Sequence, residues 1–355
     1  MNIVVLAGGL SPERDVSLSS SGSIANALTG NGHKVLLVDV YKGIPKLDTF
    51  ENLYNTYKKD DYSYKIPSAP PDLEALKRKY GNGNALIGNN VIEVCQMADV
   101  VFMGLHGGIG ENGQLQATLD VFDIPYTGSG YIGCMLSMDK SISKELMIAN
   151  GIPTPPSKTF YISTESNLEN KINNFGLPCV VKPCSGGSSV GVTIVKNKDE
   201  ITQAIKYAKE WENKIIVEKF VEGREFSAGV LGEEALPAIE IVPNKADFFD
   251  YSSKYQGTTS EICPADIPPE TEIKLRELAL KVHNILRLGA YSRAEFIVDK
   301  EYNVYCLESN SLPGLTSESI LPKEAREAGI SYNELCEKII EMALQSKNKF
   351  CYEDV

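Results

Sequence analysis

The order of apolar and polar positions divides the chain into short elements. Residues 3–7 form a continuous apolar run that predicts a buried strand, and Gly8-Gly9 and Ser11-Pro12 break the backbone after it. Residues 16–28 predict a helix that Gly30-Asn31-Gly32 ends, and residues 34–40 predict a second strand. This strand-helix-strand start favours a parallel α/β unit. Residues 43–90, rich in Tyr, Pro, Lys, Asn and Gly, predict an irregular excursion with one helix near 71–80. Residues 100–105 predict another buried strand, ending at His106-Gly107-Gly108.

A change of composition falls at Tyr126-Thr127-Gly128-Ser129-Gly130. Beyond it the pattern predicts a helix over 139–150, a strand ending Val180-Val181-Lys182-Pro183, a glycine-serine loop and a strand over 192–195. A helix over 199–211 and strands over 215–218 and 224–231 complete the middle. A long polar loop is expected over 244–268. The last part predicts a helix over 270–287, strands over 290–298 and 302–308, a turn at Pro313-Gly314 and a helix over 332–345. No internal repeat or low-complexity tract interrupts this series.

Bulk properties narrow the classes. A chain of 355 residues suggests two or three domains, and 43% hydrophobic with 23% charged residues is ordinary globular composition. The net charge of -12 and the lack of any five-residue basic run argue against nucleic acid as a partner. Residues 1–6 lack the basic start of a signal peptide, and no apolar stretch is long enough to span a bilayer. Eight cysteines without a CxxC pair do not suggest a disulfide framework, and with three histidines they argue against a zinc site. The expected compartment is the cytoplasm.

Four constellations carry candidate chemistry. In 182–191 (Lys-Pro-Cys-Ser-Gly-Gly-Ser-Ser-Val-Gly), exposed backbone N–H groups could cradle phosphate oxygens while Lys182 supplies a charge; a plain hairpin loop is the alternative. Glu218-Lys219-Phe220-Val221 with Glu225 offers an apolar slot, an acceptor and a carboxylate, as adenine and ribose require; an edge strand with a surface ion pair would look the same. Arg293 and Glu295 share one face of a strand, as do Glu308 and Asn310, because side chains alternate. Adjacent strands would aim hard oxygen donors suited to Mg²⁺, and one guanidinium, at one point; a solvent-facing strand pair is the alternative. Residues 250–255, with Lys254 and Tyr255, form either a lid or a plain surface loop.

Two GxGxxG matches, at Gly108 and Gly128, do not follow the first strand of a strand-helix-strand unit. With 29 glycines they are chance-level, so a dinucleotide site is not expected. No GxxxxGK[ST] phosphate loop occurs.

Taken together and in order, the residues resemble the D-alanine–D-alanine ligases of the ATP-grasp superfamily over nearly the whole chain. The landmarks are Gly8-Gly9-Leu10-Ser11-Pro12-Glu13-Arg14-Asp15-Val16-Ser17, Leu105-His106-Gly107 with Gly110-Glu111-Asn112-Gly113 and Gln116, Pro125 to Gly130, and Met138-Asp139-Lys140. They continue with the glycine-serine loop, the Glu218 segment, Lys254-Tyr255, Cys263-Pro264-Ala265, and Glu308-Ser309-Asn310-Ser311-Leu312-Pro313-Gly314-Leu315-Thr316.

The resemblance implies a mixed α/β (α+β), three-domain ATP-grasp fold with an N-terminal parallel α/β domain. The divisions expected are 1–128 for that substrate-binding domain, 129–217 for the central domain with its lid loop, and 218–355 for the C-terminal domain with the metal and catalytic residues and an omega loop. By motif, Lys140, Lys182, Ser188 and Lys254 would contact ATP; Glu218, Lys219 and Val221 would line the adenine slot and Glu225 would hold the ribose. Glu295, Glu308 and Asn310 would bind two Mg²⁺, for which Mn²⁺ could substitute. Glu13 would anchor the ammonium of the first D-alanine, near His106, with Ser188 and Tyr255 closing the lid over it. Arg293 and the Gly314 N–H would stabilise an oxyanion, and Ser319 and Ile320 would shape the second D-alanine subsite.

The implied reaction moves the γ-phosphoryl of ATP onto one D-alanine carboxylate, and the amine of the second attacks the acyl phosphate. It serves peptidoglycan precursor synthesis, and the family is commonly homodimeric. Three departures stand out: Glu295 where the family usually has Asp, little family pattern in 43–90, and Ser311-Leu312 for a Thr-containing pair. Lys254-Tyr255 and the apolar Ile320 favour D-alanine over D-lactate or D-serine. A non-catalytic nucleotide-binding relative, or a ligase for another acid and amine, are the competing readings.

Overall fold

The computed structural model describes residues 1–67, 69–82, 85–187, 190–243 and 259–346. Three sheets organise it. The first is parallel, in the order β2-β1-β3, built from β1 (Asn2–Ala7), β2 (Lys34–Asp39) and β3 (Val100–Met103). Helix α1 (Arg14–Gly30) crosses from β1 to β2, as the strand-helix-strand pattern predicted. The β1 side chains are buried along nearly the whole strand, which is why its sequence reads as a continuous apolar run.

The second sheet is antiparallel, in the order β4-β7-β5-β6: β4 (Ser157–Tyr161), β7 (Lys214–Lys219), β5 (Cys179–Pro183) and β6 (Thr193–Val195). Helices α8 (Leu168–Phe175) and α9 (Ile201–Lys209) cover one face with Ile172, Ile201, Ala204 and Ala208. The glycine-serine loop joins the antiparallel neighbours β5 and β6, the strand-loop-strand form expected. Strand β7 continues past residue 217, where a division was expected.

The third sheet runs β11-β10-β8-β12-β13, with β9 (Glu234–Ala235) on the edge of β8. Its strands are β8 (Arg224–Leu231), β10 (Ile239–Pro243), β11 (Thr259–Ile262), β12 (Tyr291–Val298) and β13 (Val304–Asn310). Helix α10 (Pro269–Ile285) buries Leu275, Ala279 and Val282 against Phe226, Ala294 and Phe296 on one face. The opposite face carries the charged side chains. Two C-terminal helices, α11 (Ile320–Glu327) and α12 (Tyr332–Ser346), return to the first sheet: Leu335, Cys336, Ile339 and Ile340 share a core with Ile24, Leu28 and β3.

The structure corrects several expectations. The excursion over 43–90 holds the expected helix, α3 (Leu73–Tyr80), and a second, α2 (Phe50–Tyr57), whose first turn is capped by the Thr49 side chain accepting from the Asn52 N–H. The polar loop expected over 244–268 contains a strand, β11, over Thr259–Ile262. Five more helices were not expected at all, α4 (Val91–Gln96), α5 (Gln114–Val121), α6 (Tyr131–Met138), α8 and α11, nor were strands β4, β9 and β10. Helix α7 (Lys140–Ala149) lies where the pattern placed it.

Candidate active site

The end of β1 sets the first wall. Gly8 and Gly9 take positive φ (72° and 79°), which lets the backbone turn sharply into α1. Arg14 fixes that turn, donating to the Gly9 carbonyl at 2.7 Å and pairing with Asp39 of β2. Glu13 is thereby held at the N-cap of α1, facing a cavity of about 440 Å³. His106 faces the same cavity, 3.1 Å from Ser20 Oγ and 3.6 Å from the Glu111 carboxylate. Burial, against the pull of His106, raises the pKa of Glu111. Gly314, in the turn before α11, and Ser319 and Ile320, at its start, line the cavity, and Ser319 Oγ accepts from the Thr316 N–H at 3.1 Å. Ile66 reaches it from the excursion.

A second cavity of about 460 Å³ opens between the second and third sheets. Lys182, Glu218, Lys219, Val221 and Glu225 all line it, as does Lys140. Asp139 caps α7, accepting from the Ser141 and Ile142 N–H groups, and so starts the helix with Lys140 turned toward the cavity. One turn later, on the same face, is Lys144. It is almost wholly buried, 3.1 Å from Glu218 Oε1 without hydrogen-bond alignment, and it donates to Thr154 Oγ1 at 2.5 Å. Lys182 reaches Glu218 Oε2 at 3.0 Å from the neighbouring strand.

Glu218 is therefore an anion between two buried cations. Burial opposes its charge, but Lys182 and then Lys144 outweigh burial, and its carboxyl titrates below the ordinary carboxylate range. Burial pulls the Lys144 ammonium down, whereas for Lys182 the carboxylates of Glu218 and Glu308 overcome burial and push it up.

The two cavities share Lys140, Gly186, Gly187, Glu295 and Glu308. Strands β12 and β13 make this partition: Arg293 pairs with Asn310 and Glu295 with Glu308 across the ladder, and the register then shifts at a bulge between Glu295 and Phe296. The two faces deduced from period-two alternation therefore lie opposite each other. Arg293 Nη2 donates to Glu295 Oε1 at 2.7 Å, and Lys140 Nζ lies 3.2 Å from Glu308 Oε2 while donating to the Gly186 carbonyl at 2.6 Å. Lys140 thus joins the glycine loop to the partition. Among the described residues no three His, Cys, Asp or Glu side chains gather as a metal-ligand group. The hard-oxygen set of Glu295, Glu308 and Asn310 still suits Mg²⁺, provided that phosphate and water oxygens complete the shell. Ser188, Lys254 and Tyr255 lie outside the described residues.

Lys144 was missed from the sequence, although its i, i+4 spacing from Lys140 was visible. Glu324 was also missed. Its carboxyl, on α11, is fully buried and is pushed up to about 8, mainly by burial and against the pull of Arg293.

This arrangement is a two-compartment site: a cleft between two antiparallel sheets and an acid-lined cavity beside it, joined by one charged partition. The comparisons specify the family. The profile described as "D-ala D-ala ligase N-terminus" matches residues 2–129, and "D-ala D-ala ligase C-terminus" matches residues 146–341. The chain is 41% identical over 345 residues to the D-alanine--D-alanine ligase of Pediococcus pentosaceus, covering 96% of this chain and 97% of that protein. It is 38% identical to that of Lacticaseibacillus casei, covering 96% and 95%. A solved D-alanine--D-alanine ligase from Bacillus anthracis, complexed with ATP, superposes with a TM-score of 0.75 at 28% identity, covering 98% of each chain. The chain belongs to the D-alanine–D-alanine ligase family and has its ATP-grasp fold.

The Lys144–Glu218–Lys182 cluster generates a stability prediction. A carboxyl whose folded pKa is depressed contributes stability above its unfolded value, about 4.5, and loses it as pH falls through the folded value. Glu218→Gln leaves the buried Lys144 without its carboxylate and Lys182 with only the field of Glu308 and Glu295, at a cost of about 3–5 kcal/mol at pH 7. Urea unfolding should show that gap at pH 7 and a gap that narrows as the pH falls below 4.5. Equal midpoints at pH 7 would remove the cluster from the account of stability.

Proposed function

We propose that this chain joins two D-alanine molecules into D-alanyl-D-alanine while ATP is cleaved to ADP and phosphate, for peptidoglycan precursor synthesis. The observation that carries the reading is the shared partition: Lys140, Glu295 and Glu308 border both the nucleotide-sized cleft and the cavity that holds Glu13 and Arg293. A phosphoryl group transferred across that partition passes between substrates without leaving the charged site.

In this reading ATP lies in the first cleft. Its adenine sits along Glu218 to Val221, its ribose against Glu225 and its phosphates near Lys140, Lys182, Ser188 and Lys254. Glu295, Glu308 and Asn310 would hold two Mg²⁺, with Mn²⁺ as a substitute; when bound, the metal neutralises phosphate charge and orients the transferring group. Glu13 holds the first D-alanine by its ammonium, close to His106. A carboxylate oxygen of that D-alanine attacks the γ-phosphorus, the bond to the ADP oxygen breaks, and an acyl phosphate results. The second D-alanine sits against Ser319 and Ile320, and its neutral amine attacks the acyl carbon. Arg293 and the Gly314 N–H stabilise the tetrahedral oxyanion, which expels phosphate as the C–O bond breaks, the departing phosphate taking the proton that the nitrogen loses. Tyr255 and Ser188 close over Glu13, and the closed site excludes the water that would hydrolyse the acyl phosphate.

The resemblance also supports a homodimer, and Val121, Phe122, Tyr131 and Met135 leave apolar surface exposed on α5 and α6 and just beyond α5 that a second copy could cover. The cytoplasm, where ATP is supplied, is the compartment proposed. Among the described residues no helix is long and apolar enough to cross a membrane, and seven cysteines are free thiols.

Phosphate release should require ATP, Mg²⁺ and D-alanine together, with D-alanyl-D-alanine as the product by mass. D-Serine and D-lactate offered as second substrates should react poorly. A different dipeptide or ester as the main product would replace the reading. Arg293→Ala should lose roughly 10²–10³ in kcat, the scale of one oxyanion donor; an unchanged rate would take Arg293 out of the reaction. Sedimentation equilibrium should give twice the chain mass, and a single-chain mass would exclude the dimer.

A further inference from the structure

Beside Arg293, over the neighbouring strand β8, where Gly229 stands opposite Arg293 and Ser227 opposite Glu295, a second carboxyl is buried that the reaction does not use. Glu324 lies on α11, one turn after Ser319 and Ile320, and is fully buried. Ser227 of β8 donates its hydroxyl to Glu324 Oε1 at 3.0 Å and accepts from Arg293 Nη1 at 3.5 Å. The chain of donors therefore runs Arg293, Ser227, Glu324, from the strand that carries the guanidinium to the helix that begins the second subsite. Ser227 is fully buried, and Arg293 is 9% exposed. Glu324 Oε2 faces the backbone of Gly229 without an aligned hydrogen bond, and a side chain at Gly229 would collide with it. The absence of a side chain there gives the carboxyl its place against the sheet. On the outer side of the same helix Lys323 pairs with Glu261 of β11 at 2.8 Å, and both line the amino-acid cavity.

A carboxyl buried without full hydrogen bonding costs stability, and a helix can be packed onto a sheet by apolar residues alone. Leu321 and Ala325 already do that here. The cost has a return if the group orients a charge that must not swing. Glu295 alone would draw the guanidinium toward the partition and the metal-side carboxylates. A second acceptor over β8, relayed by Ser227, holds the other terminal nitrogen, Nη1, while Glu295 holds Nη2.

We propose that Glu324 is a positioning residue for Arg293. Acting through Ser227, it fixes the guanidinium at the transfer point and couples it to the helix that carries Ser319 and Ile320, so that the second subsite and the oxyanion site are set as one unit. The inference rests on the reading of Arg293 given above, and the two fail differently. If Arg293→Ala keeps its rate, that reading is wrong; if Arg293→Ala is inactive and the Glu324 variants are normal, only this inference is wrong.

The test uses the full chain with Glu324→Ala, Glu324→Gln, Ser227→Ala and the double variant Ser227→Ala/Glu324→Ala. Glu324→Ala should lower kcat about 10-fold, short of the roughly 10²-fold that a displacement of about 1 Å can cost. The KM for ATP should stay within about twofold, because the nucleotide cleft is untouched. Glu324→Gln, which keeps an acceptor for Ser227, should recover most of the loss. Ser227→Ala, which leaves Glu324 in place, should show a similar loss, and the double variant should fall no further than Glu324→Ala alone. Normal kcat in both Glu324→Ala and Ser227→Ala, losses that multiply in the double variant, or a loss shared equally by ATP KM and thermal stability would each overturn the proposal. If Glu324→Ala does not fold, Ser227→Ala and Glu324→Gln still decide between these outcomes.

Discussion

The architecture depends on one constraint: charges removed from water must meet opposite charges, and here they do so at the junction of two sheets. The second sheet brings Lys182 and Glu218 on adjacent strands, and α7 adds Lys140 and Lys144. The third sheet brings Glu295, Glu308 and Arg293. Lys140 connects the two through Glu308 and the carbonyl of Gly186. A site built this way is polarised before any substrate arrives. Bringing a triphosphate and a carboxylate together is the difficulty of the proposed chemistry, and the cations here are already oriented by their acidic neighbours.

Backbone geometry makes that possible. Period-two alternation turns Ala294 and Phe296 into the core beneath α10 and leaves Arg293 and Glu295 on the other face. The bulge after Glu295 alters the register between the two strands just beyond the charged pairs. The N-terminal sheet contributes differently: a glycine turn pinned by Arg14 places Glu13 at a helix start. The C-terminal helices pack back on that sheet, so the Ser319 end of α11 faces Glu13 across the cavity.

Much of this was legible in the sequence where a local period carried it. The strand-helix-strand start, the strand-loop-strand around the glycine-serine segment and the two charged faces of β12 and β13 all follow from runs and alternation. The pairing of Glu295 with Glu308 could not be read, because register depends on contacts distant in sequence. The short helices α2, α4, α5, α6, α8 and α11 went unread since tertiary packing stabilises them more than their own pattern does. Lys144 and Glu324 were missed for a related reason. A charged residue on a helix ordinarily faces water, and only the neighbouring strands reveal that Glu218 or Arg293 stands opposite. The extent of the family resemblance supplied Glu13, His106 and Ser319, none of which has a local pattern of its own.

The central claim is that the phosphoryl group passes to the acid end of an amino acid within this partitioned cavity. Its most direct test is D-alanine labelled with ¹⁸O at both carboxylate oxygens, turned over with unlabelled ATP and Mg²⁺ in ordinary water. The account predicts one ¹⁸O in the inorganic phosphate for each dipeptide formed, with the other retained in the new peptide carbonyl. Phosphate free of the label, alongside normal dipeptide formation, would contradict it.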